Sequence, residues 1–354
     1  MNNVEQRGRF TYVKLKGIKK GTKLSPEEFE GREPNIKEIY NRLNNKRLIA
    51  ETQTLVAVKM GDGTHWLTEE TWNMAKNILR AGSSYKDKGH EGVTFTASNS
   101  AWLIRGASEP VESPIGAPKN KSFVRVETEL SARLGLAPFI VEKKFIFRGF
   151  KGEDVEIGKV KGYRYFLAAY DRKGTLLTKN ELKETFLWKN YLSKDEVKNS
   201  VEGTSAFMKK EFWQQERMNN DAMAQYKVVW RDAAKEFVPA IEDTGAVPDY
   251  TVNYIVVNNI NEGYYLLALL LAPQINAIVK ELTPWIGHVQ PRFIDYFYIS
   301  KFNPNNSIHV KLSQLGREIN KRGEVTEEQK NLIKGLEDKL NNEVRLNKYL
   351  RQEL

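Results

Sequence analysis

The 354-residue sequence predicts an α+β fold, in which a mixed-sheet body follows a small N-terminal region and precedes a C-terminal helical arm. Three observations support this class. Short runs rich in aromatic and β-branched residues, separated by Gly, Pro and Asn, dominate 82–175 and return after 226, as expected of strands. An apolar segment at 262–282 and the tail after 326 have helical spacing instead. Hydrophobic residues make up 40% of the chain, which is enough for a core.

The predicted N-terminal region covers residues 1–80. Residues 25–28 read Ser-Pro-Glu-Glu, a capped helix start, and this short helix should end before Gly31. A second helix is predicted to begin at Thr68, because two glutamates follow it and apolar residues then recur at helical spacing up to Gly82.

The body, 81–310, contains most of the predicted strands. They are Val93–Phe95, Trp102–Ile104, Phe123–Val126, Phe139–Phe147, Tyr165–Tyr170, Tyr226–Trp230, Thr251–Val257 and Ile294–Ile299. A helix over 179–192 is predicted from a capping box at Thr178 and Glu181. The polar segment 193–225 indicates a mobile loop or an exposed helix, and the apolar helix of 262–282 should be interrupted at Pro273.

The predicted helical arm covers 311–354. Its main helix should open at the capping box Thr326-Glu327-Glu328-Gln329. One face of this helix carries a stripe of apolar residues: Ile333, Leu336, Leu340, Val344 and Leu350. An amphipathic helix persists by burying such a stripe. The stripe could therefore pack on the body of the chain, on a separate subunit or on a second copy.

The amino-acid composition indicates which kind of partner and which cellular compartment to expect. The net charge of +10 favours polyanions such as nucleic acid, although 45 acidic residues dilute it. The absence of cysteine excludes disulfides, thiolate metal sites and cysteine nucleophiles. The polar N-terminus and a longest apolar run of ten residues, Tyr264–Pro273, argue against secretion and membrane insertion. We expect a cytoplasmic protein, and its richness in Lys and Glu also fits a hot habitat.

Motifs for catalysis are missing or incomplete, so no catalytic or metal-binding residue is predicted. An amino-methyltransferase needs a glycine cradle for S-adenosylmethionine and a Pro-Pro turn for the flipped base, and the chain has no Pro-Pro pair. Glu142-Lys143-Lys144 has the local form of a Mg²⁺-dependent nuclease motif, but no suitable Asp precedes it, which favours simple strand alternation. The four histidines have no metal-ligand spacing.

Basic residues interleaved with aromatics are the remaining functional signal. One cluster surrounds Phe145, Phe147 and Phe150; others precede Tyr165 and bracket Trp230. The basic residues concerned are Lys143, Lys144, Arg148, Lys151, Lys159, Lys161, Arg164, Lys227 and Arg231. Such cations neutralise phosphates, and arginine also reads guanine edges. A solvated strand face with its aromatics in the core would give the same pattern.

Six stretches share a pattern with a known family in the same order along the chain. They are Tyr85–Thr94, with a basic-Gly turn; Phe147–Val155, with Arg-Gly-Phe-Lys; Tyr226–Asp232, with Lys-Val-Val-Trp-Arg; Val247–Ile255; Tyr265–Asn276, with Leu-Leu-Ala-Leu-Leu; and Phe297–Pro304. Together they resemble the C-terminal specificity domain of Taq-type and type IIG adenine-N6 DNA methyltransferases. The resemblance covers about 80–320, and it departs from the family in lacking the catalytic half.

The resemblance implies a target-recognition domain that binds double-stranded DNA. S-adenosylmethionine would belong to a separate catalytic subunit, with no cofactor on this chain, and the C-terminal helix would dock that subunit or a second copy. The implied DNA contacts are Lys86, Lys88, Lys143, Lys144, Arg148, Lys151, Arg164, Lys227 and Arg231. The alternatives are a restriction endonuclease that shares the recognition domain and an assembly subunit with no DNA role. The net charge argues against a DNA mimic.

Overall fold

The computed structural model describes residues 6–18, 48–60, 63–79, 83–106, 109–112, 114, 122–204, 211–234, 236–286 and 288–350. The chain divides into two compact units, Met1–Ala81 and Gly82–Leu354. The second unit combines mixed sheets with C-terminal helices. The predicted α+β class is therefore confirmed.

The described part of the first unit is a three-stranded antiparallel sheet followed by a short helix. Its elements are β1 (Gln6–Ile18), β2 (Leu48–Met60), β3 (Gly63–Thr68) and α1 (Glu69–Ala75). The helix begins where the sequence predicted, because the Thr68 side chain accepts a hydrogen bond of 3.2 Å from the backbone N–H of Thr71. The sheet itself was not predicted, and the helix predicted at 25–28 lies outside the described residues.

The described residues of the second unit form three sheets. Its strands are β4 (His90–Glu91), β5 (Glu109–Val111), β6 (Phe123–Val126), β7 (Phe139–Glu142), β8 (Ile146–Phe150), β9 (Val155–Glu156), β10 (Gly158–Val160), β11 (Arg164–Leu167), β12 (Lys227–Arg231), β13 (Pro239–Glu242), β14 (Val247–Pro248) and β15 (Val252–Val256). The largest sheet has the order β4-β15-β12-β13-β10-β9 and is mixed, because β10 pairs in parallel with β13. The other two have the orders β11-β8-β14 and β5-β6-β7.

The helices of this unit are α2 (Glu129–Arg133), α3 (Lys179–Lys183), α4 (Asp195–Glu202), α5 (Ile260–Leu270), α6 (Pro273–Ile286), α7 (Ser307–Arg322) and α8 (Glu327–Leu350). A π-helix, Trp188–Leu192, follows α3, and 3₁₀ turns cover Lys143–Phe145, Gly152–Asp154 and Pro291–Tyr296.

The C-terminal helices pack against the largest sheet. Helix α5 contacts β12 and β13 of this sheet and also contacts α7. A Cβ atom added at Gly316 would lie 2.0 Å from the carbonyl oxygen of Tyr264, so only glycine permits this helix–helix approach. Pro273 opens α6 instead of breaking one long helix, because proline fits the first turn of a helix. Among the described helices none is by itself long and apolar enough to cross a membrane; α5 and the first part of α6 pass that test together, with a 64° bend between them.

A large aromatic core joins the sheets. Phe95 stacks on Phe166 with ring centroids 4.2 Å apart, and Phe145 is fully buried beside them. Val229 and Tyr254 contribute to the same cluster from β12 and β15. The core therefore ties the β11-β8-β14 sheet to the largest sheet and positions the surface described below.

Several local predictions were wrong. The segment 193–225, predicted as a mobile loop or an exposed helix, contains α4 and, over 211–225, turns without helix or strand. It is more buried than predicted: α4 buries Val197 and Val201, and Trp213 and Met218 are also in the core. The spaced apolar side chains of this polar segment therefore attach it to the core. The strand predicted at Ile294–Ile299 overlaps a 3₁₀ turn, Pro291–Tyr296, that proline opens.

Other predicted strands are shorter or broken. Val93–Phe95 and Trp102–Ile104 form only isolated bridges, such as that between Leu103 and Phe166. The 3₁₀ turn at Lys143–Phe145 divides the strand predicted over Phe139–Phe147 into β7 and β8. The strict alternation assumed for Glu142-Lys143-Lys144 is therefore absent.

Candidate nucleic-acid interface

The antiparallel pair β8–β11, which we call the ribbon, belongs to the three-stranded β11-β8-β14 sheet and has one buried and one outward face. The antiparallel register pairs Arg148 with Tyr165, and Phe147 with Phe166. The two phenylalanines are buried, whereas 46% of the Tyr165 surface is exposed. Side chains alternate across a strand, so Arg148 and Tyr165 point away from the core together.

Tyr163 completes this outward face. The Arg148 guanidinium carbon lies 4.5 Å from the centre of the Tyr163 ring, within range of a cation–π interaction. An Arg148 amino group also lies 3.5 Å from the carbonyl oxygen of Thr244, at the long end of hydrogen bonding. Tyr163 remains 38% exposed. We call Arg148, Tyr163 and Tyr165 the arginine–tyrosine surface.

Sequence reasoning named Arg148 but missed the part played by Tyr163. The segment Lys161-Gly162-Tyr163-Arg164-Tyr165 contained the signal, because period-two alternation places the two tyrosines on one face. Burial raises the pKa of the Tyr163 hydroxyl, and the negative charge of Glu242 adds to this effect.

Lys143 and Lys144 are exposed in the 3₁₀ turn that leads into β8. Lys144 Nζ lies 4.6 Å from the centre of the Phe145 ring. Glu142, directly before them, is buried and accepts hydrogen bonds from the backbone N–H groups of Phe186 at 3.1 Å and Leu187 at 3.2 Å. The two lysines are therefore accessible to a phosphate, whereas the Glu142 carboxylate is buried and hydrogen-bonded to the backbone of the chain.

Two predicted contacts engage other groups of the chain. Arg164 forms ion pairs with Asp154 and Glu153, so acidic side chains of the chain already compensate its charge. Arg231 is half-buried, and its Nε donates a 2.7 Å hydrogen bond to the carbonyl oxygen of Val155. Lys151 is half-buried at the end of β8.

The prediction that Lys227 contacts DNA is wrong. Its side chain has no exposed surface, and its Nζ lies 3.1 Å from Oε2 of the equally buried Glu242. The pattern Lys-Val-Val-Trp-Arg suggested a surface strand, but β12 lies between β13 and β15 and is covered on both faces. A buried lysine paired with a carboxylate cannot reach a phosphate.

Lys86 and Lys88 lie in an exposed turn that buried and hydrogen-bonded neighbours hold in place. Tyr85 between Ser84 and Lys86 is buried, and the backbone N–H of Asp87 donates to Asp295 Oδ1 at 2.8 Å. Asp87 has a φ of +56°, in the left-handed region. The turn therefore presents both lysines on a fixed backbone.

Beside this turn lies a cleft of about 780 Å³. Its lining includes Asp87, Glu91, Asp232, Tyr250, His288 and Asp295. His288 Nδ1 lies 2.6 Å from Asp232 Oδ2, and burial raises the pKa values of Glu91 and Asp295. Among the described residues, no group of three or more His, Asp or Glu side chains is arranged to hold a metal ion. Three of the resembling segments, 85–94, 226–232 and 247–255, meet at this cleft.

A buried carboxylate that sequence reasoning overlooked links the cleft to the ribbon. Asp249 accepts hydrogen bonds from the Thr96 hydroxyl at 2.7 Å and from the Thr251 hydroxyl at 3.0 Å. The Thr251 hydroxyl oxygen in turn accepts 2.9 Å from the backbone N–H of Gly152, next to Lys151. Asp249 thus links the segment at Thr96 directly, and the segment at Gly152 through Thr251, to the end of β14.

Comparison with known proteins adds no assignment. No protein-family model matches the chain. No curated protein matches it either.

Proposed function

We propose that this chain binds double-stranded DNA sequence-specifically, as the target-recognition part of an adenine-N6 methyltransferase system. The observation that carries the proposal is the arginine–tyrosine surface, where Arg148 is held over Tyr163 beside the exposed ring of Tyr165. The sequence resemblance over residues 80–320 supports it independently.

A planar guanidinium can bind the O6 and N7 atoms of guanine in the major groove of B-DNA through two hydrogen bonds. Stacking on Tyr163 restricts Arg148 before binding, which lowers the entropy lost on contact. The exposed Lys143 and Lys144, and Lys86 and Lys88 on their anchored turn, would neutralise phosphates.

The remaining parts of the proposal follow from the resemblance. A separate catalytic subunit would bind S-adenosylmethionine and transfer the methyl group in the cytoplasm. A restriction endonuclease built on Glu142-Lys143-Lys144 is not favoured, because Glu142 is buried and accepts two backbone hydrogen bonds. An assembly subunit without a DNA role is tested by the same binding experiment.

The test is selection of a bound sequence from random duplexes by the full chain, followed by fluorescence anisotropy at several salt concentrations. We expect an enriched motif and an affinity that falls steeply with salt. Arg148→Ala should weaken the selected site by about 1–3 kcal/mol, and Arg148→Lys should keep the charge but lose discrimination at one base pair.

Lys334→Ala is the matched control, because Lys334 is exposed on α8 and removal of its charge should change affinity little. Absence of binding at low salt, or equal effects of Arg148→Ala and Lys334→Ala, would show that the arginine–tyrosine surface does not read DNA.

A further inference from the structure

Lys227 and Glu242 form a fully buried ion pair on neighbouring strands. They are directly opposite each other in the antiparallel register of β12 and β13, with 3.1 Å between Lys227 Nζ and Glu242 Oε2. Lys227 Nζ also donates to the carbonyl oxygen of Ala224. A buried ion pair adds little net stability over apolar residues of similar size, so its presence calls for another explanation.

The other oxygen of Glu242 holds the turn that follows β13. Glu242 Oε1 accepts a 3.0 Å hydrogen bond from the backbone N–H of Thr244 and a second from the Thr244 hydroxyl. The turn ends at Gly245, whose φ of +76° suits glycine. Lys227 thus pairs with one oxygen of the carboxylate, and Thr244 donates hydrogen bonds to the other.

Thr244 is also a neighbour of the arginine–tyrosine surface. Its carbonyl oxygen lies 3.5 Å from the Arg148 guanidinium, and the ring under that guanidinium belongs to Tyr163. The contacts therefore run from Lys227 through Glu242 and the Thr244 turn to Arg148. Lys227, predicted as a DNA contact, is buried and connected to Arg148 only through these groups.

We infer that Glu242, held by Lys227, is a positioning residue that orients Arg148 over Tyr163 through the Thr244 turn. The expected effect of Glu242 on DNA affinity rests on the proposed function, whereas its effect on the position of Arg148 does not. Glu242 itself would touch no nucleotide, since it has no exposed surface.

The first pair of test variants is at Thr244, which is exposed. Thr244→Val removes the hydroxyl bond to Glu242 while keeping the shape, and Thr244→Ser keeps the hydroxyl. The second pair avoids leaving a buried charge unpaired: Lys227→Met with Glu242→Gln retains an acceptor for Thr244, and Lys227→Met with Glu242→Leu removes it.

The readout independent of DNA is the Nε–H signal of Arg148 in the full chain with ¹⁵N-labelled arginine, assigned by its loss in Arg148→Lys. Thr244→Val and the Glu242→Leu double variant should broaden or shift this signal, whereas Thr244→Ser and the Glu242→Gln double variant should preserve it. Affinity for the selected duplex should fall roughly fivefold in the two disruptive variants, within the range for coupled neighbours, and should not fall further in an Arg148→Ala background.

An unchanged Arg148 signal in Thr244→Val, or an affinity loss that persists in the Arg148→Ala background, would overturn the inference. If the Glu242→Leu double variant does not fold, the Thr244 pair decides alone. If the wild-type chain binds no DNA while the Arg148 signal responds as expected, the proposed function is wrong and the positioning role stands.

Discussion

The hydroxyl group of Tyr85 donates a 2.8 Å hydrogen bond to Oε1 of Glu262, 177 residues further along the chain. Glu262 Oε2 accepts a 3.0 Å bond from the backbone N–H of Asn258, and Lys301 pairs with the same carboxylate. Burial raises the pKa of Tyr85 above its usual range, and the charge of Glu262 raises it further. This contact anchors the turn of Lys86 and Lys88 to α5.

Tyr85→Phe is therefore expected to destabilise the protein by about 1–3 kcal/mol, because it removes a buried hydrogen bond to a charged carboxylate. Urea denaturation measures the loss. Tyr250→Phe is the matched control: Tyr250 is 41% exposed, so its change should stay within about 0.5 kcal/mol. Equal stabilities of the two variants would mean that Tyr85 does not anchor the turn.

Glu142→Gln tests whether this residue is structural or belongs to a metal-dependent nuclease. Loss of the charge weakens the hydrogen bonds from Phe186 and Leu187, so we expect a stability decrease of about 1–3 kcal/mol. Exposed Lys143→Ala should leave stability nearly unchanged. Supercoiled plasmid incubated with the wild-type chain and Mg²⁺ should remain uncut. Cleavage by the wild-type chain that is lost in Glu142→Gln would show instead that Glu142 belongs to a nuclease centre.

Sequence reasoning succeeded where a pattern has only one physical solution. The apolar run of α5 could only be buried, and the capping residue Thr68 marked a helix start that the structure confirms. Strands such as β6 and β12 were located because β-branched and aromatic residues favour a pleated, packed surface.

It failed where the outcome depends on neighbours distant in sequence. Nothing local distinguishes Lys227, buried opposite Glu242, from Arg148, which reaches the surface. The contact between Arg148 and Tyr163 depends on the register of β8 and β11, and Asp249 acts through threonines far from it in the chain. Propensity carries no information about such pairings.

Glu337 on α8 predicts a dependence of stability on pH. It is buried, its Oε2 has no hydrogen-bond partner among the described residues, and burial raises its pKa from 4.5 to about 8. The folded protein therefore binds this proton more tightly than the unfolded chain does. The contribution to stability is complete below about pH 4.5 and is lost as pH rises toward about 8.

Glu337→Gln should thus raise the melting temperature relative to wild type more at pH 8 than at pH 5, by at least about 2 °C. Differential scanning calorimetry at both pH values measures the difference. Glu328→Gln, at an exposed position of the same helix, is the control and should show no comparable pH dependence. A constant effect of Glu337→Gln between the two pH values would contradict burial of a protonated carboxyl.

The amphipathic stripe of α8 packs on its own chain in the described part of the helix. Ile333, Leu336 and Leu340 are buried, and α8 contacts α5, α6 and α7. Docking of a separate subunit or a second copy through these three residues, as the resemblance implied, would require them to leave the core. The sequence predicted the apolar stripe. It could not predict which helices cover the stripe, because that depends on tertiary packing.

Ile333→Ala should therefore cost about 2–5 kcal/mol, as other deletions of buried side chains do. The neighbouring Leu332→Ala is the matched control, since Leu332 is 50% exposed and its loss should cost less than about 0.5 kcal/mol. Truncation after Gly323 should lower the melting temperature sharply, and DNA binding should be lost with the fold. If the truncated chain instead melts with the parent and still binds DNA, yet no longer associates with a second copy or a catalytic subunit in sedimentation experiments, α8 is a docking arm and its packing on the body is dispensable.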